Sequence, residues 1–215
     1  HIPAIHMKRV FAIMFALVMC FTFIVDARTI KDFFISEPGE VFNILPQSTR
    51  LDMIDYYDAG HKIDVKNSLG GKSTHFNSVN DNHISVQITE SNTIDILLLP
   101  ISKNDSIIVA INTVSLPAKD SQIAIYDTDW NKLDTEKYFK QATIAAFVAI
   151  PKGDKTKKQT IIGAIDLTLI YYTIATETNG ITVHQSYADY MSNEDYKKVA
   201  PYLRDSITYT KKGNI

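Results

Sequence analysis

The sequence predicts an α+β fold: an antiparallel β-sheet meander with two N-terminal helices and one short C-terminal helix packed on it. Three observations carry that expectation. Stretches before His61 place apolar residues at helical spacing. Residues from Ile84 onward alternate apolar and polar side chains. Near the end, Ser192-Asn193-Glu194-Asp195 has the form of a helix-opening capping box.

The elements follow in chain order. In residues 38–45, Val41, Ile44 and Leu45 share a face and Pro46 closes the run, which predicts a first helix there. Thr49-Arg50-Leu51-Asp52 resembles a capping box and Gly60 can supply a left-handed stop. A second helix is therefore expected between them, with Leu51, Ile54 and Tyr57 or Asp58 turned toward a sheet. Strands are expected over residues 84–89, 93–99, 107–114 and 122–126. Glu90-Ser91-Asn92, Lys103-Asn104-Asp105 and Pro117-Ala118-Lys119-Asp120 separate them, and connections this short join antiparallel neighbours. Residues 142–150 mix alanine with β-branched and aromatic residues and are read as strand. The four lysines within residues 152–158 are read as a solvated loop. Alternation resumes over residues 165–176, and Thr178-Asn179-Gly180 predicts a hairpin turn into a strand over 181–185. The Ser192 box then opens a short helix ended by Pro201, and residues 206–209 add a last strand.

The two ends bound compartment and chemistry. Residues 1–6 precede the first methionine and are set aside as upstream. From Met7, Lys8-Arg9 leads into an apolar run from Val10 to Val25 and then Val25-Asp26-Ala27, the pattern of a secretory signal peptide over residues 7–27. Residues 28–215 are then expected to form a single α+β domain. The one cysteine, Cys20, falls inside the leader, so the remaining chain has no disulfide or thiol chemistry. A net charge of −2 gives no electrostatic footprint for nucleic acid.

Specific chemistries fail on spacing. Asn67-Ser68-Leu69-Gly70-Gly71-Lys72-Ser73-Thr74 looks like half of a phosphate-binding loop, but Lys66 stands where the first glycine is needed. The residues that follow, rich in Asn and Ser, are poor helix formers, so a direction-reversing turn is expected and nucleotide is not. Asp127-Thr128-Asp129-Trp130-Asn131 begins like a calcium loop, yet Lys132 replaces the turn glycine and Tyr138 the bidentate glutamate. An Asx-type turn is the expectation. Asp52, Asp55 and Asp58 spread along a helix stripe rather than converging. His61, His75, His83 and His184 show no metal-ligand spacing, although sequence leaves open whether they meet carboxylates in space. No nucleophile elbow is present, so no catalytic residue, cofactor or metal is expected. The candidate contact surface is Asp127, Asp129, Trp130, Tyr187 and Tyr190, because tyrosine and tryptophan suit amphipathic contacts.

Several pieces carry a resemblance: residues 49–57 (TRLDMIDYY), 69–73 (LGGKS), 120–123 (DSQI), 126–130 (YDTDW), 189–192 (DYMS) and 201–203 (PYL). With these the chain resembles an uncharacterised family, a domain of unknown function, of secreted Bacteroidales proteins. That resemblance implies an exported location, in the periplasm or on the surface of a Gram-negative bacterium, and leaves the activity open. The expected role is a non-enzymatic binding or accessory module whose partner is an envelope protein, a peptide or a glycan. A carboxylate-based hydrolase and a small-molecule or lipid carrier are the alternatives.

Overall fold

The computed structural model describes residues 28–70, 74–150, 154–175 and 180–209. Its first helix, α1, is Ile30–Ser36, one segment earlier than the spacing in residues 38–45 suggests. Thr29 caps it in a full capping box with Asp32, and Ile30, Phe33 and Phe34 form its buried face. Residues 38–45 are instead an irregular loop. The Glu37 carboxylate accepts the amides of Glu40 at 2.7 Å and Val41 at 2.8 Å, with Phe42 at 3.3 Å, and Gly39 sits at φ +100°. One carboxylate thus gathers three successive loop amides, and the chain there follows Glu37 rather than a helical ladder.

The second helix, α2, is Gln47–Asp58 with Pro46 as N-cap, so Thr49 lies inside it and caps nothing. Its buried face is Arg50, Met53 and Ile54, while Leu51 is 45% exposed, a rotation away from the expected stripe. Arg50 sets that rotation. It points inward and donates to Glu37 Oε2 at 2.6 Å, to the Glu37 carbonyl and to the Ile35 carbonyl. Gly60 at φ +79° ends the helix as expected.

Six strands follow as an antiparallel meander in sheet order: β1 His75–Val79, β2 His83–Thr89, β3 Asn92–Pro100, β4 Ser106–Val114, β5 Asp120–Tyr126 and β6 Lys132–Leu133. The register gives each face its own residues. Ile84, Val86, Ile94 and Ile96 pack with Phe34, Phe42, Met53 and Ile54 under the two helices. Leu97, Val109, Ile111, Ile123 and Ile125 turn the other way, toward a second sheet. Covering both faces explains why β2 is buried almost throughout rather than on alternate residues.

The second sheet has three antiparallel strands, β7 Ile170–Ala175, β8 Gly180–Gln185 and β9 Ser206–Tyr209. Tyr172, Ile181 and Val183 press onto β4 and β5, with Phe139 and Phe147 filling beside them. Two amides of β7 are held by β5 side chains, Ile170 by Asp120 and Tyr172 by Ser121. The pairing of Ala175 with Gly180 makes the expected hairpin, although its turn at 176–179 lies outside the described residues. Strand β7 begins later than the alternation from residue 165 suggests.

Short helices complete the chain: α3 Thr135–Tyr138, α4 Ile144–Phe147, α5 Lys155–Gly163, α6 Tyr187–Tyr190 and α7 Asn193–Val199. Two of them correct the sequence reading. Residues 142–150 form α4 rather than a strand, with only Val148 bridging Leu203. Of the lysine run, residues 155–158 are helical, with the Asp154 carboxylate capping the Lys157 amide at 2.8 Å, while residues 152 and 153 lie outside the described residues. Ser192 caps α7 by accepting from the Asp195 amide at 3.1 Å, as its sequence predicts.

Candidate functional site: a cleft at the edge of the large sheet

Strand β1 ends the large sheet, so one side of its peptide row has no full strand neighbour. The chain that approaches that side is residues 61–65. Val65 pairs antiparallel with Thr74, its amide donating to the Thr74 carbonyl at 2.8 Å, as an isolated bridge. Asn67 pins the base: its amide group donates to Thr74 Oγ1 and to the Ile88 carbonyl. Beyond this bridge the two segments stop pairing and splay apart.

The gap between them is a cleft of about 650 Å³ lined by residues 61–64 on one wall and 75–79 on the other, with Met53 and Tyr57 from α2. Its apolar floor is aromatic in character: Tyr57 meets Phe76 edge to face at 5.8 Å, and Phe76 meets Phe34 at 5.4 Å. The Tyr57 hydroxyl donates to the Val79 carbonyl at 3.3 Å. Past Tyr57 and Val79 a second groove of about 440 Å³ continues over Thr29, Lys31, Asn80 and Asp81. The rest of the lining is largely polar: His61, Lys62, Asp64, His75, Asn77 and Ser78. His75 Nδ1 lies 3.1 Å from Asp64, near enough for an ion pair yet not aligned as a hydrogen bond. Lys31 pairs with Asp58 and hangs over the Tyr57 ring, while Lys62 joins no ion pair among the described residues.

Of the stretch that resembled a phosphate loop, residues 67–70 and Thr74 are described and lie beside the Val65–Thr74 bridge. Gly70 takes φ +80°, its amide donates to the Asn67 carbonyl, and the Leu69 amide donates to the Asn67 side chain. Those amides are used inside a turn that reverses the chain between Val65 and Thr74. Gly71, Lys72 and Ser73 lie outside the described residues.

The residues picked from sequence as a contact surface are dispersed. Asp127 accepts the amides of Asp129 and Asn131 at 2.9 Å and the Asn131 side chain at 2.9 Å, an Asx turn between β5 and β6. The Asn131 contact, aided by those amides, holds the Asp127 carboxyl below its usual range. Trp130 takes φ +65° and is buried against Tyr126 at 5.3 Å. Tyr187 is 1% exposed, and burial pushes its phenol up. Asp129 and Tyr190 are exposed, on separate parts of the chain.

The histidines meet carboxylates only in pairs. His83 Nε2 lies 2.8 Å from Asp95 on the sheet face away from the helices, and its Nδ1 is buried without a partner among the described residues. His184 stacks on Tyr171 at 4.8 Å, contacts the Thr173 hydroxyl at 2.9 Å, and is pulled below its usual range by burial and then by Lys119. His61 sits against Tyr56. No three His, Asp or Glu side chains converge on a metal position among the described residues. Sequence reading missed the cleft, because residues 61–65 carry no strand pattern and meet β1 only through the isolated Val65–Thr74 bridge and the His75–Asp64 contact.

A family model described as "Protein of unknown function (DUF3256)" matches residues 22–214. A solved structure described as that of a domain of an uncharacterized protein from Porphyromonas gingivalis W83 shares the fold. It has a TM-score of 0.74 and 23% identity, and the match covers 86% of this chain and 94% of that one. No curated protein matches the chain.

Proposed function

The chain belongs to the DUF3256 family, proteins of unknown function, and from that premise we propose that it is a non-enzymatic binding or accessory module of the Gram-negative envelope. Its contact site on this reading is the cleft between β1 and residues 61–64. The carrying observation is the cleft itself: about 650 Å³, of a size that ligand sites have, with Tyr57 and Phe76 as aromatic surface and polar side chains along both walls. The leader pattern in residues 7–27 supports export to the periplasm or cell surface. The partner class is an envelope protein, peptide or glycan.

The alternatives draw less support. A carboxylate hydrolase built on Asp127 and Asp129 would need a carboxylate free to act, and Asp127 is held by its turn. A carrier cavity between helices and sheet would occupy space that Phe34, Phe42, Leu45 and Met53 fill. Site-specific photo-crosslinking in the cell of origin tests the reading. A photoreactive residue at Asn77, inside the cleft, should give a discrete adduct, and one at Thr182 on the outer face of β8 should not. Equal labelling from both sites, or none at Asn77, would end the cleft proposal. Intact mass of the envelope-derived chain checks export, with Arg28 as the expected first residue.

A further inference from the structure

Resting on that cleft reading, we propose that its ligand is an extended peptide, added as a strand against β1 with an acidic side chain over Lys62 and a basic one toward Asp81. One long wall is the edge strand β1, five residues long, and the other is residues 61–64. Past the Val65–Thr74 bridge neither wall has a strand partner on the cleft side among the described residues. Edge groups of this kind are satisfied by water or by an incoming strand, and a strand offers donors and acceptors at the matching repeat. A five-residue run spans roughly 17 Å, enough for a short linear segment.

Charge chooses among peptides. Lys31 is used by Asp58 and His75 by Asp64, which leaves Lys62 as the cation of the 61–64 wall. At the far end Asp81 borders the continuing groove and joins no ion pair among the described residues. Lys62 and Asp81 thus offer one group of each sign along the groove, which favours a peptide carrying both an acidic and a basic side chain. The β1–β2 register shifts between Phe76 and Ser78, a bulge of the kind that discourages flat edge-to-edge pairing of whole sheets. A single narrow strand can follow that bend, so the bulge favours a peptide over a second copy of the chain.

The test pans a random linear peptide library, displayed on phage, against the purified chain, then measures the synthesised winner and its backbone N-methyl series by fluorescence polarisation. Strand addition predicts that N-methylation weakens binding about tenfold at alternate positions only, since every second peptide N–H faces the β1 edge. Lys62→Glu should weaken an acidic peptide about tenfold while leaving the melting temperature unchanged. An N-methyl effect without alternation, or a Lys62→Glu variant that binds as well as the parent, overturns the proposal. So does a library without winners: if an envelope glycan or a second copy then forms the adduct at Asn77, the peptide inference falls and the cleft reading stands. If nothing forms one, both fall.

Discussion

Replacing Arg50 by methionine should destabilise the protein more than any surface change, and the reason is its partner. Both Glu37 and Arg50 are essentially removed from solvent, with side-chain exposures of 0% and 2%. Burial pulls the guanidinium below its usual range, against the opposing pull of Glu37. In Arg50→Met the hydrophobic volume is largely kept, but Glu37 is left as a buried carboxylate facing only the amides of residues 40–42. Removing one member of such a pair costs about 3–5 kcal/mol. At roughly 2–4 °C per kcal/mol for a chain of this size, the melting temperature should fall by about 10 °C. The loop over residues 38–45 should lose protection first, because the Glu37 carboxylate organises it. Chemical denaturation followed by circular dichroism measures the loss. Adding Glu37→Gln to Arg50→Met should recover at least about 1 kcal/mol of the summed single effects, since no buried charge then remains. A single Arg50→Met within about 0.5 kcal/mol of the parent would refute the pairing argument.

Further outcomes follow from the same geometry. Asp32 and Asp127 are held below their ordinary 3.8, by the Thr29 cap and by Asn131 respectively, so the unfolded chain binds more protons and stability should fall as pH drops from 3.8 through their folded values. Asp127→Asn should flatten that acid limb in a pH series of thermal melts, and an unchanged limb would count against the turn's contribution. His184 is also lowered from its ordinary 6.5, and a lowered histidine resists the proton that the unfolded chain accepts. Stability should therefore fall as pH drops below 6.5, and His184→Gln should remove that slope; an identical slope would contradict the assignment. Ser192→Ala removes the cap of α7 and should cost about 1 kcal/mol by urea denaturation. A cost near zero would show that the capping bond contributes nothing.

The meander was readable in the sequence because β2 alternates apolar and polar residues and β3 to β5 are short β-branched or apolar runs, each bounded by its own turn signal. Local chemistry also gave the Ser192 cap, the Gly60 stop and the Asx turn at Asp127. The N-terminal helices were harder for a physical reason. Helical spacing in residues 38–45 competes with the Glu37 carboxylate, and that competition is decided by Arg50, a residue thirteen positions away. Thr29-Ile30-Lys31-Asp32 did carry a capping-box signal for α1, beside the proposed leader's end. Tyr187 looks like a surface aromatic by composition, but the chain turns it into a core that no local pattern encodes, whereas Trp130 packs on the sheet beside the Asx turn that local chemistry does encode. The cleft depends on the isolated Val65–Thr74 bridge, which no alternation or turn pattern in residues 61–65 announces.

The most direct measurement is a backbone amide NMR titration of the isotopically labelled chain with a fractionated envelope extract from the cell of origin. The account predicts shifts gathered at Tyr57, residues 61–64 and residues 75–79. Shifts centred on Asp127–Trp130 or on the outer face of β7 and β8, with the β1 edge silent, would contradict it.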